Sequence, residues 1–312
     1  MDNPFSEENL QQAASGNIDA LAAYDASGLL LGADETAADF AKRIRLFQTN
    51  VQKMEDNLRK DGKYDAEGIV VTPNDRIPNA LFTKIADHTK RLYRFEIDWV
   101  PGFFIDPSFS LLFGGCAFCS YPDFFTMFII RRSFKTQEKW LIYNRDELLA
   151  HELCHVARIA LLSEEFEETF AYQTSASSFR KLIGGIFRKQ TDSFLFLGVT
   201  FVLLFAQILR TQWLQAMPIW PFWSLVGLVF AWLLVRHAFH CRRLSVAQKH
   251  IAKLFGKENA LPVLFRCTDD ELHRFASTEP QSSKSWIAEQ TSLRWQVIRK
   301  RFPLRGAESR NH

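Results

Sequence analysis

Two apolar runs in the middle of the chain constrain what it can fold into more than any other feature. Residues 194–209 and 217–235 contain no charged side chain. As helices they would span roughly 24 Å and roughly 29 Å, against a hydrocarbon core of ~30 Å. The first reaches full thickness if it continues past a snorkelling Arg210 to Trp213 and Leu214. Trp213, Trp220 and Trp223 cluster where an interfacial belt would lie. Pro218 and Pro221 interrupt only the start of the second run, which disfavours a soluble protein with two buried helices. A two-helix transmembrane hairpin over residues 191–236, in contact with a lipid bilayer, is therefore expected.

The flanks set its orientation. Arg180, Lys181, Arg188 and Lys189 precede the first span, Arg236, Arg242, Arg243 and Lys249 follow the second, and the turn between them carries only Arg210. Cytoplasmic loops carry the excess of Lys and Arg, so both termini are expected in the cytoplasm. Five cysteines, an odd number, and no basic-then-apolar N-terminal leader agree with a reducing compartment. A net charge of +3 points away from nucleic acid as a partner.

Around the hairpin the 312 residues divide into an N-terminal helical region over 1–66, a catalytic region over 67–190 and a C-terminal helical region over 237–312. In the first, an Ala-rich segment at 12–23 is followed by a Gly-Leu-Leu-Leu-Gly break. A helix is then predicted from Asp34 to Lys60, striped by Ala38, Phe40, Ile44, Phe47, Val51 and Met54 and ended by Asp61-Gly62. Residues 69–71 read as a short strand and 79–92 as a helix. In the C-terminal region, helices are predicted over 245–255, from the capping box Thr268-x-x-Glu271, and over 285–302. The basic run Arg299-Lys300-Arg301 reads as a lipid contact or a solvated helix end. Gly184-Gly185 reads as a hinge before the membrane.

The chemistry concentrates between these parts, at His151-Glu152-Leu153-Cys154-His155. On a helix, positions i and i+4 share a face, so the two imidazoles can grip one ion. Glu152 beside that ion can take a proton from a metal-bound water. Asn144 with Glu147 three positions on reads as an N-cap with its capping-box partner, and Leu149, Leu153, Val156 and Ala160 form a packing stripe opposite the histidines. Arg145, Asp146, Glu147 and Glu164 flank the helix and place it outside the bilayer.

Before this helix, the apolar but Pro- and Gly-interrupted stretch 99–130 reads as buried strands and loops. Cys116 and Cys119 read there as small core residues in a loop, because no second Cys pair lies at a matching distance for a zinc knuckle. Residues 124–130 and 140–143 are predicted strands joined by a polar segment, the first bordering a cleft.

A catalytic zinc takes three protein ligands and keeps one position open. Arg158 and Leu161 stand where a Gly and a third His would be needed in the astacin and matrix-protease pattern, which leaves a glutamate. Ser163 to Tyr172 reads as a helix capped by Ser163, with Glu168 a full turn inside and Phe166 and Phe170 anchoring the far side. Glu168 is the preferred third ligand, Glu164 the alternative and Glu165 third in rank.

The combination over residues 124–180 resembles the gluzincin group of zinc metallopeptidases, and Glu168-x-x-Ala171 is similar to the glutamate helix of the HtpX and CAAX-prenyl-endopeptidase group. That resemblance implies one zinc ion on His151, His155 and Glu168, with Glu152 as general base acting on a protein or peptide substrate. Where that group usually follows Ala with Asp, this chain has Tyr172, so the carboxylate that would orient a histidine is missing or supplied elsewhere. The expected fold class is α+β, a mainly helical zincin-like domain with a small sheet plus the transmembrane hairpin. The expected function is a membrane-anchored zinc endopeptidase. The alternative is a catalytically inactive membrane scaffold or sensor.

Overall fold

The structure, a computed structural model, describes residues 4–106, 113–120 and 125–305. Three N-terminal helices, α1 (Glu7–Ala14), α2 (Ile18–Ala26) and α3 (Ala37–Asp61), each start on a side-chain cap: Ser6, Asn17 and Thr36. Helix α3 stops at Gly62, whose φ of 69° is left-handed backbone that glycine adopts without strain. The hairpin β1 (Tyr64–Ala66) and β2 (Ile69–Val71) follows, then α4 (Asn79–Tyr93).

Strands β3 (Gly102–Ile105), β4 (Gly115–Ser120) and β5 (Phe125–Arg131) form one sheet in the order β3-β5-β4. Strand β5 runs parallel to β3 and antiparallel to β4. Side chains alternate across a strand, and β5 buries both faces. Phe128 and Ile130 join the core built on α4, whereas Met127 and Ile129 pack with Met54 and Leu58 of α3. This placement corrects the expectation for 124–130: β5 is central and saturated on both sides, and the edge is β4. Cys116 accordingly sits on a strand, not in a loop. The Phe124 start of the predicted strand, the 107–112 part of the apolar stretch and the Cys119 side chain lie outside the described residues.

Residues 140–143 do not make one strand. They fold back as β6 (Lys139–Trp140) and β7 (Tyr143–Asn144), with Leu141 at a positive φ of 49° in the turn. Then come α5 (Arg145–Arg158), α6 (Glu167–Ala171) and α7 (Ser178–Ile183).

Among the described residues, helices α8 (Gln190–Gln212) and α9 (Trp220–Phe255) are the two that are long and apolar enough to cross a membrane. Only 17% and 11% of their apolar windows are buried, whereas a core helix of a soluble protein would be mostly buried. At 36 residues α9 is roughly 54 Å long, far beyond the ~30 Å it would need. Its outer half explains the surplus. From His237 the residues His240, Leu244, Ala247, Ile251 and Leu254 recur at helical spacing and are buried. They pack against α10 (Lys257–Phe265) and α11 (Asp269–Ser277), which are followed by α12 (Pro280–Glu289) and α13 (Leu293–Arg301). The helix read over 285–302 is thus two helices, broken at residues 290–292.

Residues from 67–190 and 237–312 share one apolar cluster, running from Ile77 through Leu149 to Phe302, which also takes in Leu30 of the N-terminal region. A buried ion pair crosses it. Arg266 directs Nε to both oxygens of Asp25 at 2.8 and 2.9 Å, and its Nη1 donates to the carbonyls of Tyr93 and Pro262. Arg301 also bonds Asp25, Arg299 donates to the Ile287 carbonyl, and Lys300 pairs with Asp19 at 2.6 Å. Arg299 and Arg301 are therefore tied to the protein itself, which corrects their reading as a lipid contact, while Lys300 stays at a solvated helix end.

Burial brings the Arg266 pKa down to about 10, so the group stays charged at neutral pH and depends on Asp25. Asp25→Ala should destabilise the fold by about 3–5 kcal/mol, and Asp25→Ala with Arg266→Met should recover much of the loss. Thermal unfolding of the full chain checks this; an unchanged midpoint in Asp25→Ala would contradict it.

Candidate metal centre

Helix α5 starts at Asn144, whose Oδ1 accepts from the Asp146 and Glu147 amides at 3.0 and 3.1 Å. The reciprocal half of the predicted capping box does not form. The Glu147 carboxylate instead accepts from the Ser175 hydroxyl at 2.8 Å and from Arg180 Nη1 at 3.1 Å. Leu149, Leu153 and Val156 are buried as expected, which turns His151 and His155 to the other side.

There the two Nε2 atoms stand 3.2 Å apart. Glu168 presents Oε2 at 3.5 Å from His151 Nε2 and Oε1 at 3.5 Å from His155 Nε2. Each imidazole thus has its own Glu168 oxygen at 3.5 Å, and one ligand atom from each of the three residues lies within 4.8 Å of the others, so the group could hold a metal ion. The fit holds for the donor chemistry too, two imidazoles and a carboxylate.

The element that delivers Glu168 differs from the expected one. Residues 162–166 are not helical, α6 has only five residues, and Glu168 lies in its first turn. Its rigidity comes from packing: Phe166 and Phe170 are fully buried, and the Tyr93 hydroxyl donates to the Phe170 carbonyl at 2.6 Å. Ser163 is not a helix cap; its hydroxyl donates to Asp269 at 2.6 Å. Glu164 points outward to Lys189, and the Glu165 carboxylate sits between His240 and His273 at 3.0 and 2.6 Å. The structure thus brings Glu168 to the histidines and neither of its rivals.

Sequence reasoning missed the residue that orients His155. Glu167 Oε1 lies 3.3 Å from His155 Nδ1, and its Oε2 accepts from Arg158 Nε at 2.7 Å. It supplies the carboxylate absent at position 172. On the other ring, the Ala171 carbonyl is the hydrogen-bond partner of His151. One turn of α6 therefore carries the third candidate ligand and both orienting groups. The signal was present as a run of four acids but could not be assigned without knowing where Arg158 points.

Glu152 is buried, and its Oε2 accepts the Ala117 amide of edge strand β4 at 2.8 Å. Burial pushes its carboxyl above the usual range, against the lowering effect of His155 and the Ala117 amide. The two histidines are driven apart. Burial, then His155, brings His151 down to about 3. For His155 burial also pulls downward, but Glu167, Glu152 and Glu168 together hold it up at about 9.

A cleft of about 300 Å³ opens on one side, lined by His151, Glu152, Glu168, Tyr143, Tyr172 and Arg180 among others. A second depression of about 400 Å³, lined by Ala117, His155 and Glu167, opens on the other. The Tyr172 ring packs edge-on to His151, centroids 4.6 Å apart. A Cβ on Gly184 would lie 2.2 Å from that ring, and one on Gly185 3.1 Å from His237. The glycine pair is therefore a point of close packing, not a hinge.

Comparison with protein-family models, with curated proteins and with solved structures found no match to this chain. The site's chemistry rests on its own geometry.

Changing Glu168 to Gln should lower zinc affinity sharply, while Glu164→Gln leaves it unchanged. Glu167→Gln should weaken it about 10–100-fold by releasing His155. Metal-competition titration of the three variants reads all of this; equal affinities would refute the ligand assignment.

Proposed function

We propose that the protein is a membrane-anchored zinc endopeptidase of gluzincin type, with its active site on the cytoplasmic side of a two-helix hairpin and both termini in the cytoplasm. The observation that carries this reading is the convergence of His151, His155 and Glu168, with ligand atoms within 4.8 Å of one another, next to Glu152. Bound zinc supplies Lewis acidity toward a water and a peptide carbonyl.

The chain's own groups would do the rest. Glu152, its carboxyl pushed above the usual range by burial, takes a proton from the attacking water and delivers it to the leaving amine. An extended peptide would pair with the open edge of β4. The Arg131 amide bonds the Gly114 carbonyl, so the main chain alternates outward at Gly115 and Ala117; the Ala117 amide is already taken by Glu152, which leaves the Gly115 main chain as the place for a peptide to pair. The Tyr172 hydroxyl, kept protonated by burial, is the candidate donor to the oxyanion. The Lys and Arg bias of the hairpin flanks supports the orientation.

The test compares metal content and peptide hydrolysis in three forms of the full chain. Wild type should carry one zinc and hydrolyse peptide; Glu152→Gln should keep the zinc and lose activity by at least about 10²–10⁴-fold. His151→Ala should lose the zinc. A wild-type chain that binds no divalent ion would sink the proposal.

A further inference from the structure

An apolar rim stands beside the cleft with no packing partner of its own among the described residues. Phe179 and Leu182, three apart on one face of α7, are 66% and 64% exposed, and Leu141 and Ile142 at the tip of the β6–β7 turn are 66% and 76% exposed. Arg180 joins the two pieces, its Nη1 donating to the Ile142 carbonyl at 3.4 Å while it also holds Glu147. Four large apolar side chains on two short, tethered elements are more than scattered surface residues.

Their level along the hairpin is fixed by two contacts. Asp192 in the first turn of α8 pairs with Arg236 of α9 at 2.5 Å, which marks the height where both helices leave the apolar zone. The next residue, His237, hydrogen-bonds the Leu182 carbonyl, and so pins α7 at that height. Only residues 184–189 separate α7 from α8, and Phe187 in this link is also exposed and lines the cleft. Charge is arranged to match. Lys181 between the apolar positions makes no ion pair among the described residues, whereas Arg188 and Lys189 behind it are engaged by Glu165 and Glu164, so Lys181 is the cation left facing outward beside the apolar tips. Apolar tips flanked by Lys and Arg are the composition that seats in an anionic headgroup layer.

We propose that α7 and the β6–β7 turn insert into the headgroup layer of the bilayer that the hairpin crosses, so that the cleft mouth opens at the lipid surface. The proposal rests on the membrane reading of α8 and α9 and is independent of peptidase activity. It goes beyond an anchor: the hairpin alone would leave the catalytic part free to tilt, whereas a second membrane contact beside the cleft fixes the angle at which a polypeptide meets Glu152.

The test places one environment-sensitive fluorophore at a time on full-length protein in vesicles containing anionic lipid, with labelled wild type giving the background of native thiols. Leu182→Cys and Ile142→Cys report the rim, Leu228→Cys the middle of the apolar half of α9, and Lys60→Cys the aqueous side. The rim labels should be blue-shifted and quenched about twofold by a nitroxide carried near the headgroups, the depth of roughly 5–10 Å at which interfacial helices lie. Leu228→Cys should respond to a nitroxide at the chain ends and Lys60→Cys to neither. Rim labels that behave like Lys60→Cys while Leu228→Cys is quenched would overturn the docking alone. A Leu228→Cys label that no lipid nitroxide reaches would overturn it together with the membrane reading. A blue shift at the rim that no lipid nitroxide quenches would also overturn it, because a protein would then be the covering partner.

Discussion

The arrangement of the site depends on one buried guanidinium. Arg158 ends the motif helix with no exposed side-chain surface, and its charge must be answered inside the protein. Glu167 answers it through Nε, Ser163 accepts from Nη2 at 2.8 Å, and the Phe265 carbonyl accepts from Nη1. Phe170 and Phe265 pack against its face. The same Glu167 carboxylate reaches His155, so satisfying Arg158 fixes the imidazole that would face the metal. Burial and opposing charges then set one carboxylate of the pair low and the other high: Glu167 is lowered through Arg158 and His155 against burial, while burial raises Glu168.

This arrangement ties the site to the hairpin. Helix α9 runs without interruption from Trp220 into the core that contains Phe265, and it places His240 against Glu165, three residues before Glu168. Arg188, just ahead of α8, donates to the Glu165 carbonyl at 3.0 Å. The segment that leads to the candidate ligand Glu168 is thus held between the two ends of the apolar helices. A movement of α9 relative to α8 would be felt first at residues 164–168.

What was legible in the sequence was local. The i, i+4 histidines, the Asn144 cap, the Leu149-Leu153-Val156 stripe and the Thr268–Glu271 capping box all depend on spacing within one or two turns, and each is present. The two long apolar helices were legible for the same reason. What was missed depends on partners far along the chain. Glu167 could not be told from Glu164 or Glu165 until Arg158, His240 and Lys189 were placed. Residues 124–130 read as the cleft-bordering strand from their place in the chain order before the motif helix, but their continuous apolar run is the mark of a central strand buried on both faces. Arg299 and Arg301 read as surface charge because the carbonyls and the Asp25 that receive them lie in other segments.

The most direct test of the central claim is X-ray absorption at the zinc edge on the full-length protein loaded with one equivalent of zinc. The account predicts a shell of nitrogen and oxygen ligands at about 2.0–2.2 Å, with the multiple-scattering pattern of two imidazoles and no sulfur. A sulfur shell at about 2.3 Å, placing the ion on cysteines, or a spectrum without imidazole scattering would contradict it.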